Sequence, residues 1–377
     1  MSLDLVLTGG RVICPATGVD RITDVGFANG RVVGVGADLS GTITRDVTGL
    51  IVVPGLIDMH THVYWGGTSL GIDAEAFCRS SGVTTAVDTG SAGPGNFAGF
   101  RAHVIEPSPV RIIAFLHVSH AGIFGFSNRV SVGESEDIRL MDPVTAAEVA
   151  DANRDVIAGI KVRLGRHASG DQGMTPFEFA LQVAEAVDMP MMVHIDEPPP
   201  SYDDVVAALR PGDILTHCYR PFPNTPIGQG MKVKDVVRAA RDRGVLFDVG
   251  HGMGSFAFST ARAALADGFP PDTISSDIHK LCINGPAFDQ VTTLSKFLCL
   301  GMDLDDVIAA STCRAADALN RPDLGRFAPG AVGDATLLKL EEGAFEYTDA
   351  QNEVLIGDKR LSSAAVVLGG AIWVLAQ

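Results

Sequence analysis

Over its first 50 or so residues the chain runs in short apolar bursts, Leu5-Val6-Leu7, Arg11-Val12-Ile13, Val25-Gly26-Phe27 and Val32-Val33-Gly34-Val35, divided by Gly, Asn and Asp. That texture predicts a small antiparallel sheet. From about residue 51 the pattern changes. Apolar runs that read as buried strands recur at 51–58, 84–88, 110–118, 157–163, 190–195, 213–217, 245–249 and 273–276, with helix-length segments such as 175–188, 201–210 and 232–243 between them. Thr175-Pro176 and Ser201-Tyr202-Asp203-Asp204 carry a hydroxyl ahead of Pro or acidic residues, as helix starts do. Eight such units in succession predict an α/β fold, a (β/α)8 TIM barrel. Past about 325 the pattern reverts to strands (Gly333 to Leu338, Ala364 to Leu368), so both chain ends are expected to share a small β-sandwich. The expected division is 1–54 and 325–377 for the sandwich and 55–324 for the barrel.

Length and composition narrow the function. A chain of 377 residues, 46% hydrophobic and 20% charged, is long enough for a large core plus a second domain. Its net charge of -16 argues against a nucleic-acid partner, which needs clustered Lys and Arg, and points to a small-molecule ligand. Six cysteines (Cys14, Cys78, Cys218, Cys282, Cys299, Cys313) form no CxxC pair and no disulfide-like spacing, which fits a reducing cytoplasm. The opening Met1-Ser2-Leu3-Asp4-Leu5-Val6-Leu7 has no secretory pattern, and the apolar tail Ala364 to Ala376, broken by Gly369-Gly370, is too short to span a bilayer and reads as strand. No membrane partner is expected, and a homo-oligomer is left open.

The chemistry is concentrated where the predicted strands end. In Gly55-Leu56-Ile57-Asp58-Met59-His60-Thr61-His62 two histidines one residue apart share a strand face and form a metal claw. Strand four ends in Lys161-Val162-Arg163, strand five in His194, strand six in His217 and strand eight in Asp277. Imidazole and carboxylate donors suit zinc or a similar divalent ion. A lysine among cations would be repelled unless it lost its proton, and addition of carbon dioxide would make Lys161 a bridging carboxylate. Arg163, two residues on, shares that face and is a candidate for a substrate carboxylate, weighed against a rim salt bridge. His279 and Asn284 follow Asp277 and are weaker candidates. His251, between two glycines, reads equally well as a structural histidine. Asp58 is expected to orient a ligand from behind, and Cys218 to be packing.

These residues resemble the amidohydrolase superfamily: the HxH in a PGLIDMHTH setting, the strand-four lysine, one histidine each on strands five and six, and the strand-eight aspartate. Gly82 to Gly93, Lys161-Val162-Arg163, His194 to Pro199, Gly250-His251-Gly252 and Ser276 to His279 resemble its deacetylase-like branch, often labelled dihydroorotase by homology. The resemblance implies a binuclear centre, with two divalent ions for which zinc is the first expectation. His60, His62 and Asp277 would take one ion, His194 and His217 the other, and carboxylated Lys161 and a hydroxide would bridge them. It also implies attack by that hydroxide with Asp277 as general acid and base. The leading substrate is a carboxylate-bearing acetyl ester or amide, such as an O-acetyl 2-hydroxy acid or N-acetyl amino acid. The alternatives are a cyclic amide hydrolase of dihydroorotase or hydantoinase type and a non-catalytic scaffold. Dihydroorotases usually carry an arginine two residues after the HxH. Here that place is Tyr64, followed by Trp65, which suggests an aromatic wall for the substrate.

Overall fold

The apolar run at 51–58 is two strands rather than one, and the break is where the two halves of the molecule meet. In the computed structural model, which describes residues 3–375, Ile51–Pro54 pairs with Arg11–Cys14 and Ala335–Thr348, while Leu56–Thr61 begins a separate parallel sheet. Gly55 sits between them because nothing larger fits: a Cβ there would lie 2.2 Å from Thr84 Oγ1 and 2.7 Å from Asp334 Cβ. Ala376, at the end of the apolar tail, lies outside the described residues.

The parallel sheet consists of β1 (Leu56–Thr61), β2 (Val83–Thr89), β3 (Arg111–His117), β4 (Ile157–Leu164), β5 (Met191–Ile195), β6 (Ile214–Leu215) and β7 (Leu246–Phe247), paired in chain order. Residues 273–276 do not form the expected eighth strand. The segment makes isolated parallel bridges, Asp248 with Thr273 on one side and Thr61 with Ile278 on the other, and these close the barrel. The expected strands at 213–217 and 245–249 are likewise shortened to two residues each. The backbone supplies a reason: His217 (φ 66°) and Asp277 (φ 48°) adopt left-handed conformations that interrupt a ladder.

Three expected helices appear as Thr175–Val187, Tyr202–Ala208 and Asp235–Asp242. Ser201 Oγ accepts from Asp204 N (3.1 Å), as a cap should. Thr175 is already helical, and Met174 before it gives no side-chain cap. The terminal strands build a four-stranded sheet, in which Leu3–Thr8 and Gly41–Asp46 run parallel rather than antiparallel, and a six-stranded sheet. Leu5, Leu7, Val25 and Phe27 of the first meet Val12, Val52, Leu337 and Val367 of the second in one apolar core. The C-terminal strands are longer than expected: Ala335–Thr348 and Val354–Leu368 form a hairpin, followed by Ala371–Leu375. Among the described residues no helix is long and apolar enough to cross a membrane.

That hairpin is tied to the barrel by a buried lysine. Lys296, on the helix Gln290–Cys299, donates from Nζ to Pro286 O (2.7 Å) and Thr348 O (2.9 Å) and meets His251 Nε2 at 2.7 Å. Burial pushes its amine down from 10.5 to about 7, opposed by Asp349, Asp289 and Cys282. Between those values the unfolded chain holds a proton that the folded chain does not, so this group's contribution to stability rises with pH. Lys296→Met leaves buried acceptors unpaired and is expected to cost about 1–3 kcal/mol at pH 7. The gap to wild type in urea unfolding should widen from pH 7 to 9, and a constant gap would contradict the depressed amine.

Candidate metal centre

At the C-terminal mouth of the barrel His60, His62 and Asp277 converge. Asp277 Oδ1 lies 3.3 Å from His60 Nε2 and 3.2 Å from His62 Nε2, all three residues are buried, and the group has the spacing of a metal site. The ring orientation of His60 is set from behind. Thr216 Oγ1 donates to Asp248 Oδ2 (2.8 Å), so the same oxygen is left to accept from His60 Nδ1 at 2.8 Å, and the lone pair falls on the inward Nε2. His62 Nδ1 meets Ser91 Oγ at 3.0 Å, and Ser91 N is bound to Asp88 (2.9 Å). Asp58 acts from behind as expected, through backbone: it accepts from Ser276 N (3.0 Å) and His60 N (3.3 Å). Gly252 leaves room for Asp277 in this position, since a Cβ there would come within 2.2 Å of Oδ2.

His194, His217 and Lys161 gather beside this trio. His194 Nδ1 and His217 Nε2 face each other at 2.7 Å, and His217 Nδ1 donates to Gly250 O (2.7 Å), which again leaves a lone pair inward. Lys161 is wholly buried, and among the described residues its Nζ has no hydrogen-bond partner. Burial lowers its amine to about 7, and Gly90 gives its stem room, since a Cβ there would meet Lys161 Cγ at 2.6 Å. Burial also holds His60, His194 and His217 well below the usual imidazole value and His62 down at about 3, so the rings are neutral, the form that ligates a cation. Asp277 is raised to about 6 by burial. Neutral donors around an orphaned buried amine fit a pair of divalent ions with a modified lysine between them. Without such occupants the amine would bear an uncompensated desolvation cost.

His60, His62, His194, His217 and Asp277 line one cavity of about 390 Å³, together with Arg163 and His279. His279 is buried, with its ring 6.0 Å from that of His62, and burial lowers it to about 4. Tyr64 and Asn284 are not brought to this cavity. Tyr64 packs on Phe100 (ring centroids 4.6 Å apart) with its hydroxyl 3.3 Å from Asn96 O, and Asn284 is exposed. Trp65 is exposed as well, so the aromatic wall comes from Phe126, beside Leu70, Ile123 and Met253. His251 is structural: it stacks on Phe256 at 4.6 Å and bonds Lys296. Cys218 is packed in the core.

Several site residues were not found by reading strand ends. Glu134 comes from the long loop after β3, where no periodicity marks it. Its Oε2 accepts from Arg163 Nη1 (3.2 Å) and its Oε1 lies 3.3 Å from His117 Nε2. Arg220 lies just past His217, and its signal was only that proximity. Thr216 should have faced away by strand alternation, but the left-handed turn at His217 breaks the period. Thr216→Val removes the acceptor that fixes His60, and divalent-metal affinity should fall about 10–100-fold in chelator competition. Unchanged affinity would mean that His60 is oriented by something else.

The chain matches the model described as the amidohydrolase family over residues 51–372. A protein named deacetylase from Agrobacterium fabrum is 36% identical over 329 residues, covering 86% of this chain and 80% of its own. A dihydroorotase from Geobacter metallireducens is 48% identical, but over only 64 residues, 16% of this chain and 15% of its own. A crystal structure described as a dihydroorotase superposes with a TM-score of 0.90 at 33% identity, covering 99% of both chains. The barrel, the sandwich and these similarities agree, and the chain belongs to the amidohydrolase family.

Proposed function

We propose that this hydrolase removes an acetyl group from a small carboxylate-bearing ester or amide, in a metal-dependent reaction centred on Asp277. The observation that carries the metal dependence is that neutral His nitrogens and Asp277 converge on one cavity, with the buried Lys161 amine, unpartnered among the described residues, close enough to act on His60 and Asp277. His60, His62 and Asp277 would hold one divalent ion, zinc first, and His194 and His217 a second, with Lys161 between them. The neutral amine of Lys161 is the form that adds carbon dioxide, giving a carbamate and one proton, and so exchanges a cation for an anionic ligand. When bound, such ions supply a water of lowered pKa and polarise a carbonyl.

The chain's own residues do the rest. Asp277 accepts the proton of the attacking water and delivers it to the departing oxygen or nitrogen. Phe126, Leu70, Ile123 and Met253 give the cavity an apolar wall for the substituent of the acid. The barrel residues 55–324 carry this chemistry, and the described residues of 1–54 and 325–377 form the supporting sandwich. Six cysteines, all unpaired, support a reducing cytoplasm as its setting.

The acetyl assignment is supported by likeness to a protein named deacetylase along most of the chain, whereas the likeness to a curated dihydroorotase is confined to 64 residues. Cyclic-amide hydrolysis stands second because a structure described as a dihydroorotase is 33% identical throughout. Protein loaded with zinc and bicarbonate is expected to release acetate from one of two panels, O-acetyl 2-hydroxy acids or N-acetyl amino acids, with preference for one enantiomer. Release from neither by protein that holds two metals, with ring opening of dihydroorotate, would replace the acetyl reading by the second. Chelation should abolish turnover, and zinc with bicarbonate should restore more than zinc alone. Asp277→Asn in metal-replete protein should lower kcat about 10²–10⁴-fold. Normal turnover would leave Asp277 a ligand only.

A further inference from the structure

The cavity contains two arginines, and they are not equivalent. Arg163 is already paired: its Nη1 donates to Glu134 Oε2 at 3.2 Å, and its guanidinium lies 5.1 Å from the Phe126 ring centre. Glu134 is itself buried, so the pair is close to neutral as a unit and little of the Arg163 charge is left for a ligand. Arg220 lies three residues past His217 and is only 7% exposed, yet it lines the cavity. Its Nη1 donates to Ile195 O at 2.8 Å, its Nε is buried with no partner, and among the described residues no carboxylate forms an ion pair with it. The acids that act on it electrostatically, Asp196 and Glu197, are otherwise engaged. Asp196 accepts from His167 N (3.1 Å) and Ala168 N (3.2 Å), and Glu197 is half exposed, 3.8 Å from His167 Nε2. A guanidinium cannot shed its charge as a lysine can, so burial without a counter-ion is unfavourable until an anion arrives.

We infer that Arg220 is the residue that holds the carboxylate of the substrate, and that Arg163, fixed by Glu134, shapes the cavity beside it. This rests on the reading above that the substrate bears a carboxylate. With a single cavity arginine that forms no ion pair among the described residues, a ligand with one negative charge is matched best. Arg220 also comes to the cavity from the same turn as His217, so its backbone position is tied to the candidate metal centre: Arg220 N donates to His217 O at 3.1 Å.

The test is a comparison of an acid with its neutral isostere in zinc- and bicarbonate-loaded protein. Calorimetry would give the affinities for 2-hydroxypropanoate and 2-hydroxypropanamide, each as both enantiomers, in wild type, Arg220→Met, Arg220→Lys and Arg163→Met. Wild type should prefer the acid, and Arg220→Met should cut that preference at least about tenfold, the order of one charged hydrogen bond. Arg163→Met should cut it less, and Arg220→Lys should fall between wild type and Arg220→Met. No preference in wild type, or a preference that survives in both Arg220 variants, would overturn the assignment. Should Arg220→Met not fold, the Lys variant decides by itself, because an unchanged preference there also overturns it. Turnover of the acetylated acids is scored separately. Arg220-dependent binding without acetate release would sink the deacetylase reading and leave Arg220 as the anion site.

Discussion

Asp248 is a wholly buried carboxylate on which both the closure of the barrel and the orientation of His60 depend. It accepts hydrogen bonds from Thr273 Oγ1 (2.7 Å), Ser275 Oγ (2.7 Å) and Thr216 Oγ1 (2.8 Å). Two of these come from the segment that stands where an eighth strand would be, and the third is the hydroxyl that fixes His60. The three hydroxyls offset the desolvation that raises this carboxyl, and in return they are locked in orientation. The barrel is thus closed here by side chains as much as by backbone ladder. The geometry of His60 is a consequence of that closure rather than a separate arrangement.

The irregular side of the barrel and the reactive side coincide. Where β1 to β5 pair, the ladders run over several residues each, with register shifts only at Leu56/Ile57, Asp58/Thr61 and Ala114/Phe115. At β6, β7 and the closing segment only short pairs or single bridges remain. His217 and Asp277 there take left-handed backbone, and Gly250 and Gly252 lie against them where no Cβ would fit. Non-glycine residues with φ > 0 persist only where the surroundings over-determine them. Here the surroundings are the bonds from His217 to Gly250 O and from Gly252 N to Ser276 O (3.0 Å).

Charge inside the cavity follows from burial. Burial drives the imidazoles neutral and weakens the hold of Lys161 on its proton, so the cavity presents lone pairs instead of cations. Arg163 cannot neutralise and is paired with Glu134. Arg220 has no such partner, and this difference separates the two arginines in role. The terminal sheets contribute at a distance, through Lys296, which joins the long hairpin to the turn that carries His251 and Gly252.

The sequence by itself determined most of the scaffold and which residues meet at the mouth of the barrel. Apolar runs at regular intervals are enough to place β2 to β5, because a strand buried on both faces is largely apolar, whereas the run at 51–58 hid the break at Gly55 that separates β1 from the sandwich strand before it. His60, His62, Lys161, His194, His217 and Asp277 were legible because strand ends are where a barrel collects its chemistry, and the structure brings all six together. Only the tertiary structure decided which polar residues stand behind them. Asp248, Ser91 and Glu134 act through contacts 25 to 32 residues away in the chain, and no local period encodes such distances. Tyr64 shows the converse. Its position two residues after the HxH suggested a substrate wall, but a strand ends before it, the period lapses, and its ring turns to Phe100 instead. Arg163 and Arg220 look alike as residues. What distinguishes them is the presence of a buried carboxylate beside one and not the other, and that is a property of packing alone.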